Sequence, residues 1–138
     1  MKSVYLEHAN ITVNNLERSI TFFKTAFPNF KIRGEGISEN RRWVHFGLDS
    51  VYIALNEAGH DKSIKIQKNY VSSGINHIGF VVENVAEIAT NLLAAGFKRD
   101  YPKTTEEFRI RDYFADDDGN EFEFVQYLSN NPKERNKY

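Results

Sequence analysis

The strongest constraint on the fold of this chain is that its second half repeats the pattern of its first half. An offset of 69 residues places His8 on His77 and Asn15 on Asn84. The same offset carries Asp49 onto Asp118 and residues 51–55 onto residues 120–124. Self-similarity at a fixed spacing is the signature of a duplicated structural unit. The sequence therefore predicts two copies of one module.

Each copy reads as a strand, a helix and three further strands, which predicts an α+β fold of two tandem βαβββ modules. Asn15 and Asn84 are the predicted helix N-caps, and Gly96 is the predicted end of the second helix. The predicted strands span residues 4–13, 30–33, 42–47 and 51–55 in the first copy, and 75–82, 98–100, 108–114 and 121–127 in the second. We expect one domain over residues 1–130, with module one at 1–57, a linker at 58–73, module two at 74–128 and a frayed tail at 129–138.

Composition excludes several kinds of protein. The chain has 138 residues, which suits one domain, and a formal net charge of −1, which gives no electrostatic footprint for nucleic acid or an anionic membrane. It contains no cysteine, so any metal must be held by nitrogen and oxygen ligands. Neither a spanning apolar run nor a leader pattern is present, and we expect a cytoplasmic protein.

Strand alternation places the candidate functional side chains on one face of each module. His8 and Asn10 share a face of the first strand, and His77 takes the same position in the repeat. In the last strand Glu121 and Glu123 lie opposite a face of two phenylalanines. Each module therefore has an apolar face for its helix and a partly polar face for a ligand.

Two histidines and a carboxylate on such a face suit a divalent metal ion. A single histidine on a strand is more often a hydrogen-bonded packing residue, and that alternative stays open for His8 and for His77 separately. Their equivalence under the repeat favours the metal. His45 and His60 have no histidine at the same offset and are predicted not to be ligands.

The segments LEHANITVNNLERSITFF, INHIGFVVENV and DDDGNEFEFVQ span most of the chain and resemble the vicinal oxygen chelate superfamily. That superfamily includes glyoxalase I, fosfomycin-resistance proteins, extradiol dioxygenases and bleomycin-resistance binders. The resemblance implies an open, cup-shaped, eight-stranded mixed sheet with its helices outside, around a divalent ion such as Mn, Fe, Ni, Co or Zn. It also implies a homodimer acting on a small-molecule substrate.

By position, the resemblance implies that His8, His77 and Glu123 are the metal ligands. Glu121 would be a neighbour on the same face, either supporting the ligands or facing solvent. The residue that matches Glu123 in the first module is Ala54, which cannot bind a metal. Because glyoxalase I has a carboxylate at that position, Ala54 argues against glyoxalase I chemistry.

Of the family members, the three-ligand set looks closest to the fosfomycin-type thiol transferases. Tyr52 and Tyr113 match aromatic site residues of those proteins, and we expect Asn10, Arg111 and Glu121 to join them in binding substrate. Arg111, however, stands where those proteins have a serine, and the loop PKTTEEF differs from theirs, so fosfomycin is not the expected substrate.

Two functions are consistent with these residues. The first is a metal-dependent enzyme that binds vicinal oxygens of a small substrate. The alternative is a metal-free binding protein of the bleomycin-resistance kind, which sequesters a small molecule without chemistry. The intact set of three ligands favours the enzyme.

Overall fold

The computed structural model describes residues 4–59 and 68–138, and the chain divides into two compact units at residues 64 and 65. Each unit holds one module. The first contains β1 (His8–Val13), α1 (Leu16–Ala26), β2 (Lys31–Ser38), β3 (Arg41–Gly47) and β4 (Tyr52–Glu57). The second contains β5 (His77–Val81), α2 (Val85–Ala94), β6 (Lys98–Thr105), β7 (Arg109–Ala115), β8 (Glu121–Tyr127) and a short α3 (Pro132–Arg135). No helix within the described ranges is long and apolar enough to span a membrane.

The two modules have the same sheet topology, which confirms the predicted βαβββ repeat. The strand order is β1-β4-β3-β2 in one four-stranded sheet and β5-β8-β7-β6 in the other. In each sheet the first and last strands of the module pair in parallel, with His8 opposite Tyr52 and His77 opposite Glu121. The remaining pairs are antiparallel.

The offset of 69 residues holds for these parallel pairs but not for the strands between them. β6 begins at Lys98 and β2 at Lys31, an offset of 67, while β7 begins at Arg109 and β3 at Arg41, an offset of 68. The prediction of one constant offset was therefore wrong for the inner strands, because the turns around them differ in length.

The corrected register gives His45 a structural counterpart. His45 pairs with Ala54, and Tyr113 pairs with Glu123. Since Ala54 and Glu123 are equivalent positions, His45 is equivalent to Tyr113. The counterpart of His45 is therefore a tyrosine rather than a second histidine. His60 lies outside the described residues.

Both helices begin where their caps predict. The Asn15 side chain accepts a hydrogen bond of 2.9 Å from the Arg18 amide, and the Asn84 side chain accepts one of 3.1 Å from the Glu87 amide. Past the end of α2, Gly96 has a φ of +86°, which favours glycine. The apolar faces of helix and sheet are buried in both units, among them Phe22, Phe23, Val44, Leu55, Leu92, Phe114, Phe122 and Phe124.

The largest errors in the predicted strand boundaries of the first module are at the start of β1 and the end of β2. β1 begins at His8, four residues later than predicted, although the Glu7 carbonyl still accepts a bond from the Tyr52 amide. β2 continues through the stretch predicted as a loop and turns only at Glu39 and Asn40, whose positive φ values of 51° and 60° suit a two-residue hairpin. A glycine inside this strand, Gly36, is needed for packing, because a Cβ there would lie 2.8 Å from the Trp43 ring.

The second module departs from prediction at its edge strand and its tail. β6 continues past Asp100 to Thr105 with two register shifts, and it accommodates Pro102 because it is the last strand of its sheet. The tail is not frayed throughout. α3 is capped by Asn131, and the Arg135 guanidinium stacks 4.0 Å above the Tyr127 ring.

A buried ion pair stabilises the helix side of the second sheet. Asp112 is fully buried on β7 and accepts hydrogen bonds of 2.7 and 2.8 Å from Arg99. We expect Asp112→Ala to lower the free energy of unfolding by about 2 kcal/mol, less than for a fully buried pair, because the Arg99 side chain is 34 % exposed and can regain water. Urea unfolding measures the change. Glu107→Ala, which breaks an exposed pair with Lys137, is the control and should change stability little.

Candidate metal centre

The strongest candidate site lies on the face of β5 and β8 away from α2. There the His77 Nε2 atom lies 3.0 Å from the Glu123 Oε2 atom. The parallel register causes this approach, because it sets Glu123 beside Gly79, two residues along from His77 and on the same face. Two of the three predicted metal ligands are therefore adjacent in space.

The other ring nitrogen of His77 is held by Tyr70. The Tyr70 hydroxyl donates a hydrogen bond of 2.7 Å to Glu121 Oε1 and lies 3.0 Å from His77 Nδ1. A hydroxyl has only one proton, so when Tyr70 donates to Glu121 its oxygen accepts from a protonated Nδ1 of His77. In that tautomer the lone pair of His77 is on Nε2, which faces Glu123.

Tyr70 reaches this position with a left-handed backbone. Its φ of 63° is uncommon for a residue other than glycine. The partial burial of its hydroxyl and the hydrogen bond to Glu121 raise the pKa of Tyr70 above its ordinary value. The phenol therefore stays protonated at neutral pH and acts as a donor to Glu121.

Glu121 is a buried carboxyl group, so the alternative in which it faces solvent was wrong. It is 2 % exposed, and its Oε2 atom accepts no hydrogen bond from a donor in the described part of the chain. Burial, followed by the neighbouring Asp100 carboxyl, raises the pKa of Glu121 to about 7. Both effects disfavour the charged form of Glu121.

Glu123 is held on its second oxygen by Tyr113, which donates a hydrogen bond of 2.9 Å to Oε1. Burial, together with this bond, raises the pKa of Tyr113 to about 12. Arg111 donates to the Tyr113 hydroxyl at 3.3 Å and lies 3.9 Å from Glu123. Its guanidinium is also paired with Glu106, so Arg111, a predicted substrate residue, already has a carboxylate partner here.

The first unit places its predicted residues on one face as well. His8 stacks on Tyr52 with ring centroids 4.8 Å apart, and its Nδ1 lies 2.9 Å from a Glu7 carboxylate oxygen. His8, like His77, thus has a polar partner on Nδ1. Asn10 accepts a hydrogen bond from Asn56. Ala54 is buried and pairs with Asn10 on one side and with His45 on the other.

Two residues near these faces were missed by sequence analysis. Arg33 lies 4.0 Å above the Tyr52 ring, where a register irregularity between Ile32 and Gly34 places it. Tyr70 falls in the segment predicted as a linker. No periodic pattern marks either residue, because one depends on a bulge and the other on a loop.

A pocket of about 400 Å³ lies beside Tyr113 in the second unit. Its lining residues are Tyr70, Tyr101, Pro102, Thr104 and Tyr113. The sequence did not predict this pocket, because residues 102–105 belong to β6 rather than to the loop expected there.

The turn that precedes β8 is built by Asp116. Its Oδ1 atom accepts hydrogen bonds from the Asp118 and Asn120 amides at 3.0 and 2.8 Å. Gly119 has a φ of +79° within this turn. The Asp116 side chain therefore organises the backbone that leads into Glu121 and Glu123.

The spacing of His77 Nε2 and Glu123 Oε2 fits two neighbouring ligands of one divalent metal ion. Two ligand atoms that each lie about 2.1 Å from a metal are about 3.0 Å apart in an octahedral shell and about 3.4 Å apart in a tetrahedral one. The observed His77–Glu123 separation of 3.0 Å agrees with the first value. Across residues 4–59 and 68–138, no three His, Cys, Asp or Glu side chains form a ready-made metal-binding group. His8 lies in the first unit, and its part in the site stays a prediction.

Removing the Tyr70 hydroxyl tests whether its hydrogen bond orients the His77 ring. We expect Tyr70→Phe to weaken divalent-metal binding about tenfold, because an outer partner of a ligating histidine fixes its tautomer and orientation. Isothermal calorimetry with Mn(II) measures the change. The matched control, Tyr127→Phe, loses the same atom from a ring that stacks under Arg135 and should bind Mn(II) like the original chain. Equal affinities in the two variants would contradict this role for Tyr70.

Comparison with known proteins agrees with this fold. Residues 5–124 match the family model described as Glyoxalase/Bleomycin resistance protein/Dioxygenase superfamily. A curated relative, the probable trivalent organoarsenical cleaving enzyme of Bacillus subtilis (strain 168), is 28 % identical over 129 residues, covering 89 % of this chain and 80 % of the relative.

Solved structures with low sequence identity share the fold. A glyoxylase/bleomycin resistance protein/dioxygenase domain from Frankia sp. EAN1pec has a TM-score of 0.75 at 19 % identity, covering 91 % of this chain and 99 % of that one. A mutant of the fosfomycin resistance protein FosX from Listeria monocytogenes, complexed with Mn(II) and 1S,2S-dihydroxypropylphosphonic acid, has a TM-score of 0.71 at 20 % identity, covering 99 % and 100 %. Glyoxalase I from Zea mays, as a mutant, has a TM-score of 0.73 at 18 % identity, covering 88 % of this chain and 45 % of that one. The match over residues 5–124 shows that this chain belongs to the glyoxalase/bleomycin resistance protein/dioxygenase superfamily, as its resemblance to vicinal oxygen chelate proteins predicted.

Proposed function

We propose that this protein is a metal-dependent enzyme that acts on a small, oxygen-rich substrate, with His8, His77 and Glu123 as metal ligands. The observation that supports it best is the approach of His77 Nε2 to Glu123 Oε2 at 3.0 Å while Tyr70 occupies Nδ1. His8 is included because it is the repeat equivalent of His77 and its Nδ1 likewise has a carboxylate partner.

The contact between His77 and Glu123 suits a cation when the imidazole proton is on Nδ1. In that tautomer Tyr70 accepts from Nδ1, and a lone pair on Nε2 faces an oxygen of Glu123. Two lone pairs at hydrogen-bond distance repel each other. A proton on Nε2, or a divalent metal bound to both atoms, removes this repulsion. Imidazole and carboxylate are ligands that such metals prefer.

When bound, a divalent metal would supply Lewis acidity to substrate oxygens on neighbouring atoms, through coordination positions that three protein ligands leave open. The residues of this chain would prepare that site. Tyr70 orients His77 and leaves Nε2 available. Tyr113 donates to Glu123 and holds the other carboxylate oxygen in place. Glu121 anchors Tyr70 from a buried position.

The two named relatives indicate different classes of substrate. The Listeria protein is complexed with a phosphonic acid that has hydroxyls on adjacent carbons, which is an oxygen chelate. The Bacillus relative is described as acting on trivalent organoarsenicals. Thiolates are the soft ligands that would suit a trivalent arsenic centre, and this chain has no cysteine. We therefore favour oxygen chelation. The predicted homodimer stays a prediction.

A metal-free binding protein is the second candidate. The lack of a ready-made group of three ligands among residues 4–59 and 68–138 favours it, as does the presence of a pocket in the second unit. In that case the His77 ring would carry two protons and form an ion pair with Glu123.

Metal titration separates the two functions. Protein purified without chelators, then stripped and dialysed, is titrated with Mn(II), Co(II), Ni(II), Zn(II) and, without oxygen, Fe(II). We expect one ion per chain with at least one metal at micromolar affinity or tighter. Failure of all five to bind at micromolar concentrations would overturn the enzyme proposal and leave the binding protein.

A further inference from the structure

The pocket beside His77 is lined mainly by aromatic rings. Tyr101 lies between the two other tyrosines, with its ring centroid 5.8 Å from that of Tyr70 and 5.7 Å from that of Tyr113. The planes meet at 89° and 72°, so the rings pack edge to face. Pro102 and Thr104 complete the lining. We name this set of five residues the tyrosine pocket.

Two hydroxyls of this pocket are already in use. The Tyr70 hydroxyl donates to Glu121 and the Tyr113 hydroxyl donates to Glu123. These two tyrosines therefore offer mainly ring carbon to a ligand. A molecule with an apolar, aromatic surface is complementary to them.

The tyrosine pocket adjoins the candidate metal ligand. The Tyr113 ring lies 5.9 Å from the His77 ring at 86°, and the Tyr70 ring lies 6.3 Å from it. A group in the pocket would thus lie next to whatever binds at His77 and Glu123. The two walls are also open to solvent, since Tyr70 is 52 % and Tyr101 is 44 % exposed.

We propose that the substrate carries an aromatic ring on a carbon atom that bears one of its chelating oxygens, and that this ring binds in the tyrosine pocket. This inference rests on the proposed function, because the oxygens are those that would bind the metal. A volume of about 400 Å³ is near the lower end for ligand pockets and suits one substituted ring better than a polycyclic system.

Ring geometry favours an aromatic ring over an organic cation. A cage for a quaternary ammonium group directs several aromatic faces towards one centre. Here the tyrosines pack edge to face against each other. A neutral aromatic ring can pack against both their edges and their faces.

Mandelate and lactate form a matched pair for the test, because they have the same vicinal oxygens and differ in a phenyl group against a methyl group. We expect mandelate to bind Mn(II)-loaded protein about tenfold more tightly than lactate, as measured by calorimetry. Tyr101→Ala should remove this preference, Tyr101→Phe should keep it, and the exposed-ring control Tyr5→Ala should keep it too.

A second experiment tests the tyrosine pocket in the absence of metal, and therefore applies even if the protein binds no metal. Benzyl alcohol is added to protein in chelator, and NMR shifts are followed for the ring signals of Tyr101 and Tyr113. We expect shifts that saturate and that Tyr101→Ala removes. Equal binding of mandelate and lactate by metal-loaded protein would overturn the aromatic substrate while sparing the metal. Without metal binding, the absence of benzyl alcohol shifts would overturn the pocket itself, and so would tighter binding of choline than of benzyl alcohol.

Discussion

Replacing His77 with alanine is expected to weaken divalent-metal binding at least about 100-fold. The variant loses the only imidazole that the second unit places beside Glu123, and it leaves Tyr70 without its ring partner. Removing even an outer partner of a ligand costs about 10-fold to 100-fold in metal affinity, so loss of the ligand itself should cost more. Calorimetric titration of stripped protein with the tightest-binding metal measures the change.

His45→Ala is the matched control for this variant. His45 is also a strand histidine, but it contacts Trp43 and Tyr52 rather than a carboxylate. We expect it to keep metal affinity within about threefold, together with a cooperative unfolding transition. If His77→Ala bound metal as tightly as His45→Ala, His77 would not be a ligand, and the proposed site would have to be abandoned.

The stability of the metal-free protein is expected to fall as pH rises from about 5 to 8, and Glu121 should be a main cause. Its pKa is raised to about 7 in the folded protein, against about 4.3 for a free glutamate. Between these values the folded chain binds more protons than the unfolded chain, so the free energy of unfolding decreases with pH. The stabilisation is complete below the lower value and is lost as pH passes the higher one. The full difference is roughly 4 kcal/mol.

Glu121→Gln isolates this contribution. Glutamine resembles the neutral acid, because its oxygen can still accept from Tyr70 while its amide can donate towards Asp100. We expect the variant to match the original chain at pH 5 and to exceed it in unfolding free energy at pH 8, as measured by urea denaturation in chelator. Glu107→Gln, at an exposed ion pair, should leave the pH dependence as it was. Parallel curves for the original chain and Glu121→Gln would show that Glu121 is ionised in the folded protein.

The sequence predicted best the features that depend on local hydrogen bonds, on strand alternation or on the order of the strands in a module. Asn15 and Asn84 began both helices as predicted, since a cap is a local hydrogen bond. The last strand, Glu121–Tyr127, had the predicted bounds because its alternation of acids and aromatics separates the two faces of the sheet. The adjacency of His77 and Glu123 followed from the parallel pairing that a βαβββ module requires.

The features that escaped prediction depend on contacts between distant parts of a module. Glycines in β2 looked like loop residues, yet Gly36 is needed because a tryptophan ring covers it. Tyr70 sits in a segment without periodicity, and only the folded chain shows that its hydroxyl meets Glu121, 51 positions later. Arg111 looked available for an anionic substrate until its pairing with Glu106 was seen.

The unequal turns of the two modules have an evolutionary consequence. Four residues separate the paired Gly47 and Tyr52, and five separate the paired Ala115 and Glu121. After a duplication, insertions and deletions that cancel over the whole module let the inner strands of the copies shift by one or two residues while the outer strands keep their alignment. The two halves then acquire different neighbours at equivalent positions, a histidine beside Ala54 and a tyrosine beside Glu123. An ancestral symmetric protein could in this way have specialised one half for binding a cation and freed the other for a different task.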